Sequence, residues 1–512
     1  MEIKTHGCQK RLYTAGILIV LALSVSPAAF PQLPQGQPGR PGASLDAAKA
    51  PAVAARRAKL MEIHKDAIVI IPSQYKARDG AMRDNLNFLY LTGLKEADSI
   101  LVLDPAGNPR ETLFRRASGG PGGRVVASGG MAGSEAPVVA VAPRGQPPAQ
   151  DAPGPDKGLV EKPNTQVSSA LFGAIMAGRA KRVLLPFSDF DFLTRAFTGM
   201  NPLAQAEAIL NIDPTLSEMR LTKDAEEIAA LREAIGLTAE ALNEAYRAAE
   251  PGMREADLAA ILRYAFDKRE TEDSFLQAAS GPNSTNVHFG ATARPLAAGD
   301  LVVFDVGAWI RGYTSDISRT IPANGRFTKE QRDIYALVLE AEKHGCWRLV
   351  PGVTFKAVQD EVEAILMAGL EKLGLVTDIK SPWQRRLYIQ HGFGHGIGLD
   401  IHDVWSWHSP RLDQVKMAPG MVVTMEPGLY FPEGRFEAIL GGLKGKVADT
   451  ELAAFREKVG PVYKKYTGMG VRIEDDVLIT ASGSEVLSGR VPKEIAEIEK
   501  LMREKSPHNL LK

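Results

Sequence analysis

The stretch LVVFDVGAWIRGYTSDISRTI, residues 301–321, decides how the second half of this chain folds. Two runs rich in β-branched and aromatic residues flank a turn signal at Ile310–Gly312, so the stretch reads as a β-hairpin. Asp305 interrupts the apolar first run, Asp316 lies in the second, and they are 11 positions apart. On one straight strand that odd separation would send them to opposite faces. In a hairpin centred between Ile310 and Arg311 they become direct cross-strand partners, with Cβ atoms about 5 Å apart. Two carboxylates at that distance repel unless one holds a proton or a cation lies between them. Taken alone, the pair also fits two solvent-facing acids on an edge hairpin.

Working outward, HGFGHGIGLDIH (391–402) places His391, His395 and His402 among four glycines, with His408 shortly after. Glycine removes side-chain bulk and permits unusual backbone angles, so imidazoles there can approach a ligand closely. A nucleotide-binding loop is the competing reading, but the GxGxxG spacing is not met. Glu426 ends the apolar run VVTMEPG, and Glu474 lies inside MGVRIEDDVLI. By strand alternation Arg472, Glu474 and Asp476 point one way, and Val471, Ile473 and Val477 the other. Each acid alone has an ordinary explanation, a neighbouring Arg or water. Together, four carboxylates (Asp305, Asp316, Glu426, Glu474) and the imidazole of His395 balance the charge of two divalent cations. That oxygen-rich set suits Mn²⁺ better than a thiolate-type zinc site. Paired metals activate water and polarise carbonyls, so the implied chemistry is hydrolysis.

Around these motifs the chain alternates strand-like and helical patterns, which predicts an α/β (α+β) protein. A helix-like stretch, Val53–Ile63, leads into a strand at Ala67–Ile71. Strand-like runs follow at Phe88–Thr92 and Ile100–Asp104, then a helix near 167–178 and a strand at Lys181–Leu185. Residues 117–163 hold 18 glycines and prolines, too many for a long helix or a central strand, and read as a disordered insertion. Ile228, Leu231, Ile235, Thr238, Leu242 and Ala245 share one helical face and open a second domain. Further helices are predicted at 254–269, 328–349 and 354–373, and strands at 301–309, 313–321, 420–426 and 470–479.

Lys+Arg and Asp+Glu are both 61, so the formal charge is zero, which argues against a nucleic-acid partner held by a broad basic surface. Lys4, Lys10 and Arg11 precede an apolar run from Gly16 to Val25 and small residues at Ser26, Ala28 and Ala29, the pattern of a secretory signal. The run is short for a membrane span. The reading is therefore a secreted or periplasmic protein with no stable span after cleavage, an uncleaved anchor being the alternative. Cleavage removes Cys8 and leaves Cys346 alone, so no intramolecular disulfide can form.

The order DVGA, SDISRT, HGFGHGIGLDIHD, MEPGLY and RIEDD resembles the proline-specific metallopeptidases of the pita-bread fold, the Xaa-Pro aminopeptidases (aminopeptidase P) and Xaa-Pro dipeptidases (prolidases). The resemblance is strong over about 220–485. It is weaker over 53–215, where RDNLNFLYLTGL and LVLDP look like the creatinase-type N-terminal domain. With the signal pattern and the Gly/Pro-rich stretches, it gives a signal peptide (1–30), a tether (31–51), a creatinase-like domain (52–215) with the insertion 117–163, a pita-bread catalytic domain (220–485) with an extra segment at 433–466, and a C-terminal tail (486–512); the two inserted segments depart from the family pattern. It also implies two divalent metal ions, Mn²⁺ or else Co²⁺ or Zn²⁺. Asp305 would chelate one, Asp316 and Glu474 would bridge both, and His395 and Glu426 would complete the other. Glu426 is the carboxylate implied for proton movement. His288, His391 and His402 match substrate-contacting histidines, the last two aiding catalysis, and Arg472 matches an arginine behind the ligands. The implied reaction removes an N-terminal residue that precedes proline, by a homodimer or higher homo-oligomer. The alternatives are a prolidase, a metal-free creatinase-like hydrolase, a methionine aminopeptidase and a noncatalytic peptide-binding protein; the intact ligand set and the large N-terminal domain disfavour the last three.

Overall fold

The computed structural model describes residues 50–76, 82–115, 159–178, 182–187, 203, 206–404, 415–504 and 506. The expected signal peptide, nearly all of the tether and most of the insertion lie outside the described residues, as does His408. Among those described, no helix is long and apolar enough to cross a membrane.

The run AIVIIP can be buried on both faces, and it forms the fully buried β1 (Ala67–Pro72). Beside it runs a two-stranded pair, β2 (Gln74–Lys76) and β3 (Met82–Asp84). A six-stranded sheet is completed by β4 (Ile100–Leu103), β5 (Glu111–Arg115), β6 (Leu159–Pro163), β7 (Arg182–Leu185) and β8 (Ala208–Asn211), in the order β6-β5-β4-β1-β7-β8. Two expectations are corrected here. Phe88–Thr92 lies in a helix, Leu86–Thr92, in spite of its β-forming residues. Asn85 caps its start and Gly93, in the left-handed region, ends it, so local capping overrides propensity. The last five residues of the predicted insertion are an ordered strand, and proline is tolerated there because β6 is a sheet edge.

The second half opens with the helix Ala225–Ala248, whose buried face carries Leu231, Ile235, Thr238, Leu242 and Ala245. Its N-terminus is a capping box between Asp224 and Glu227, and Arg56 from the helix Pro51–Ile63 donates to the Asp224 carboxylate. Strands β9 (Asp273–Ser280), β10 (Leu301–Ile310), β11 (Tyr313–Thr314) and β12 (Ile317–Pro322) form one sheet in which β9 and β12 flank β10. The turn is centred on Arg311–Gly312, both with positive φ, one residue later than expected. Asp305 therefore pairs with Ser318, not with Asp316. The two-residue change in register keeps both acids on one face but makes them diagonal neighbours.

The remaining strands are β13 (Val422–Met425), β14 (Gly428–Tyr430), β15 (Gly470–Arg472), β16 (Asp475–Ile479) and β17 (Ser484–Val486); β13 pairs with β16, and β14 with β15. The strand expected over 470–479 is thus broken at Ile473–Glu474. The segment 433–466 contains two helices, Arg435–Gly442 and Asp449–Tyr463. Among the described residues after 486, the helix Ile495–Leu501 buries Ile498 and Leu501, and Tyr335 donates to the Lys493 carbonyl. One hydrophobic core runs from Leu60 to Leu501. A smaller one lies between β1, β7 and the helix Val167–Met176.

Because Asp224 caps one helix and anchors another through Arg56, Asp224→Ala is expected to lower unfolding free energy by about 1–2 kcal/mol, measured by denaturant titration.

Candidate metal centre

Three backbone devices bring the predicted ligands together. The first is the hairpin face. Ser318 lies opposite Asp305, and its Oγ is 2.7 Å from both Asp305 Oδ1 and Glu474 Oε2. The second is the break between β15 and β16, where the Glu474 N–H donates to the Ser318 carbonyl at 3.0 Å. The third is the glycine-rich segment, which runs extended along β13. Glu426 N donates to Phe393 O, and Thr424 N to His395 O. Gly394 makes that approach possible: its φ is +146°, and a Cβ there would lie 2.2 Å from the Thr424 carbonyl oxygen. Gly392 has open space around it, so the glycine requirement expected there is not spatial.

The result is a buried cluster. His395 Nε2 is 3.5 Å from Asp316 Oδ2 and 3.6 Å from Glu426 Oε1. Ligand atoms of Asp316, His395 and Glu474 all lie within 4.8 Å of one another. Asp305 lies outside that tightest group, held by Ser318 and by the Arg472 guanidinium. Arg472 also donates to Ser318 Oγ and Tyr430 Oη, so it meets Glu474 through Ser318. His391 accepts from or donates to Tyr430 Oη at 2.8 Å, and its Nδ1 is 3.4 Å from Glu426 Oε2. The His402 ring stands edge-on to His395, centroids 4.3 Å apart, while His402 and His288 are exposed at the rim.

Burial and mutual repulsion set the protonation states. Asp316 is pushed well above the usual carboxylate range, first by burial and then by Asp305, Asp476 and Glu426. Glu474 is raised in the same way, by burial and then Asp316. Glu426 is raised to about 7, chiefly by burial. The hydroxyl count at Ser318 agrees. Oγ accepts from Arg472 and has one proton, which can serve Asp305 or Glu474 but not both, so the two contacts are satisfied together when one of these acids is protonated. Burial and Arg472 lower His391 to about 3; partial desolvation, His395 and His288 lower His402 to about 4. Both are neutral at pH 7.

Divalent ions fit these residues. The buried oxygens Asp316 Oδ1 and Glu474 Oε1 have no hydrogen-bond partner among the described residues. His395 Nδ1 faces the Gly396 carbonyl at 3.0 Å and must donate to it, which leaves the Nε2 lone pair toward the acids. A second acidic group, Glu342, Cys346 and Asp475, is already met by cations: Lys493 bonds both acids and Arg319 bonds Asp475. The residue reading overlooked Ser318, Tyr430 and Thr424. Ser318 had a signal, since it alternates with Asp316, and Asp476 was placed on the site face without being given a part; it accepts from the Asp316 N–H at 3.2 Å.

The fold keeps these carboxyls protonated at pH values where free ones are ionised, whereas a metal ligand must be ionised. Metal loading at pH 6 is therefore expected to release at least one proton, and affinity should rise with pH toward about 7. Calorimetry in buffers of different ionisation enthalpy measures this; no proton release would contradict it.

Residues 229–481 match metallopeptidase family M24, and residues 53–119 match the N-terminal domain of aminopeptidase P. The chain is 32% identical to the Xaa-Pro aminopeptidase of Escherichia coli over 433 residues, 82% of this chain and 89% of that one. It is 37% identical to the Xaa-Pro aminopeptidase of Haemophilus influenzae over 302 residues, 57% of this chain but only 64% of that relative's length. The solved structure of E. coli aminopeptidase P with the inhibitor Pro-Leu superposes with a TM-score of 0.68 at 28% identity, covering 88% of this chain and 97% of that one. Sequence, length and fold agree, and the chain belongs to metallopeptidase family M24, with an aminopeptidase P N-terminal domain ahead of the pita-bread catalytic fold.

Proposed function

We propose that this metallopeptidase is an Xaa-Pro aminopeptidase with two divalent ions, hydrolysing the bond between an N-terminal residue and a following proline. The observation that carries this reading is the meeting of Asp316, Glu426 and Glu474 around His395 Nε2, with Asp305 joined to Glu474 through Ser318 and the His402 ring beside His395. The named relatives support the substrate class. In this reading Asp305 serves one ion, Asp316 and Glu474 both, and His395 and Glu426 the other. The oxygen-rich set favours Mn²⁺ over Co²⁺ or Zn²⁺. Bound ions of this kind supply an activated water and a polarised carbonyl.

The chain's own groups do the rest. Glu426 is the carboxylate placed to take up and return a proton, with His391 Nδ1 3.4 Å from its Oε2. His391 and His402 stay uncharged at pH 7, so they can hydrogen-bond a peptide carbonyl without adding positive charge beside the ions. Tyr430 and Arg472 orient His391 and Asp305 from behind. The reading extends to a creatinase-like domain over 52–215, a catalytic domain over 220–485, secretion or periplasmic export through the basic-apolar N-terminus, and a homodimer or higher homo-oligomer.

A tripeptide Xaa-Pro-Yaa is expected to yield free Xaa and Pro-Yaa by chromatography. Cleavage of dipeptides only would make the enzyme a prolidase instead. Asp316→Ala is expected to lose bound metal, measured by elemental analysis, and to cut hydrolysis by about a hundredfold or more. Unchanged turnover in that variant would refute the dinuclear site.

A further inference from the structure

Gln277, on β9, is 4% exposed and faces the metal centre's first acid: Gln277, Asp305 and Ser318 form one row across β9, β10 and β12. Pairs in register share a face, so the amide is the neighbour of Asp305 on the side away from Ser318. Its Oε1 accepts from the Phe289 N–H at 2.8 Å, and its backbone bridges to Gly290. One residue thus grips the loop on both sides of Phe289, immediately after His288. Arg472 donates to the Val287 carbonyl and Gln390 to the Thr285 carbonyl, so the loop's other ties are backbone oxygens. The Phe289 N–H, by contrast, needs an acceptor, and Gln277 Oε1 supplies it.

The chemistry of that acceptor is constrained. An aliphatic side chain would leave the Phe289 N–H without this partner. A carboxylate would add another acid beside Asp305. A neutral amide meets both demands. It does so even though Gln277 Nε2 is left buried with no partner among the described residues, a cost that an apolar side chain would avoid. His288 in turn bears electrostatically on both His391 and His402, so the loop's placement reaches the rim of the site.

We infer that Gln277 is a positioning residue, whose side-chain amide fixes the loop that presents His288 to the substrate. This rests on the reading of His288 as a substrate contact.

The test uses the full, metal-loaded enzyme and an Xaa-Pro-Yaa tripeptide. Gln277→Met keeps the volume and removes the acceptor. It is expected to raise KM about fivefold, the effect of one lost hydrogen bond, with kcat within about twofold and metal content unchanged. In a His288→Ala background the same substitution should change nothing further, because both act through one contact. Hydrogen exchange over residues 285–290, which requires no activity, should quicken in Gln277→Met. Unchanged exchange or unchanged KM overturns the inference, as do additive effects in the double variant or a loss of metal. If His288→Ala alone leaves KM untouched, the substrate role of His288 fails, and the inference with it; if His288→Ala raises KM and Gln277→Met does not, only the inference fails. Should Gln277→Met fold poorly, Gln277→Asn, which draws the amide back by one methylene, is read in the same way.

Discussion

The buried repulsion among Asp305, Asp316, Glu426 and Glu474 is the constraint on which the rest of the site depends. An isolated buried carboxylate is costly, and four together cannot all stay ionised without compensation. The fold answers with Arg472, whose charge persists against burial because Asp305, Tyr430, Glu426 and Glu474 surround it. It also answers with protonation, since Asp316, Glu426 and Glu474 all bind protons more tightly than free acids. Divalent ions replace those protons with fixed positive charge. Metal binding at these acids would therefore be linked to pH.

That arrangement requires rigid support, and residues 472–476 supply it in two directions. Arg472, Glu474 and Asp476 face the site, while Asp475 turns the other way into a bonded set with Arg319, Ser488 and Lys493. Arg319 also donates to the carbonyls of Ser318 and Glu474, tying the two ligand-bearing strands together by their backbones. Arg472 and Asp475 thus put opposite charges on the two sides of this short segment, each met by hydrogen-bonded partners, the condition under which buried ion pairs hold geometry. The helix after residue 486 takes part because Lys493 leads into it.

Strand alternation read from single residues carried far. It put Arg472, Glu474 and Asp476 on one face, which the contacts of Ser318 and Asp316 bear out. It kept Asp305 and Asp316 together even though the hairpin centre was one residue out, because a register change of two preserves the face. Alternation could not reach features that depend on a partner distant in the chain. Tyr430 gains its place only when β14 pairs with β15 and brings it to Arg472 and His391. Phe88–Thr92 has strand composition and is helical because its caps outweigh propensity over seven residues. The strand Leu159–Pro163 is invisible in a glycine- and proline-rich stretch until β5 offers it an edge.

By itself the sequence pointed to the family, to an ordered set of candidate ligand residues and to the helical face of Ala225–Ala248, since these rest on residue identity and local periodicity. Only the tertiary structure decided the register of Asp305 against Ser318, the break at Ile473–Glu474, the tautomer of His395 and the grip of Gln277 on the His288 loop. The physical reason is the range of the interactions: periodicity acts within a few residues, whereas a hydrogen bond between Ser318 and Glu474, or the desolvation that raises Glu426, exists only after distant segments have packed.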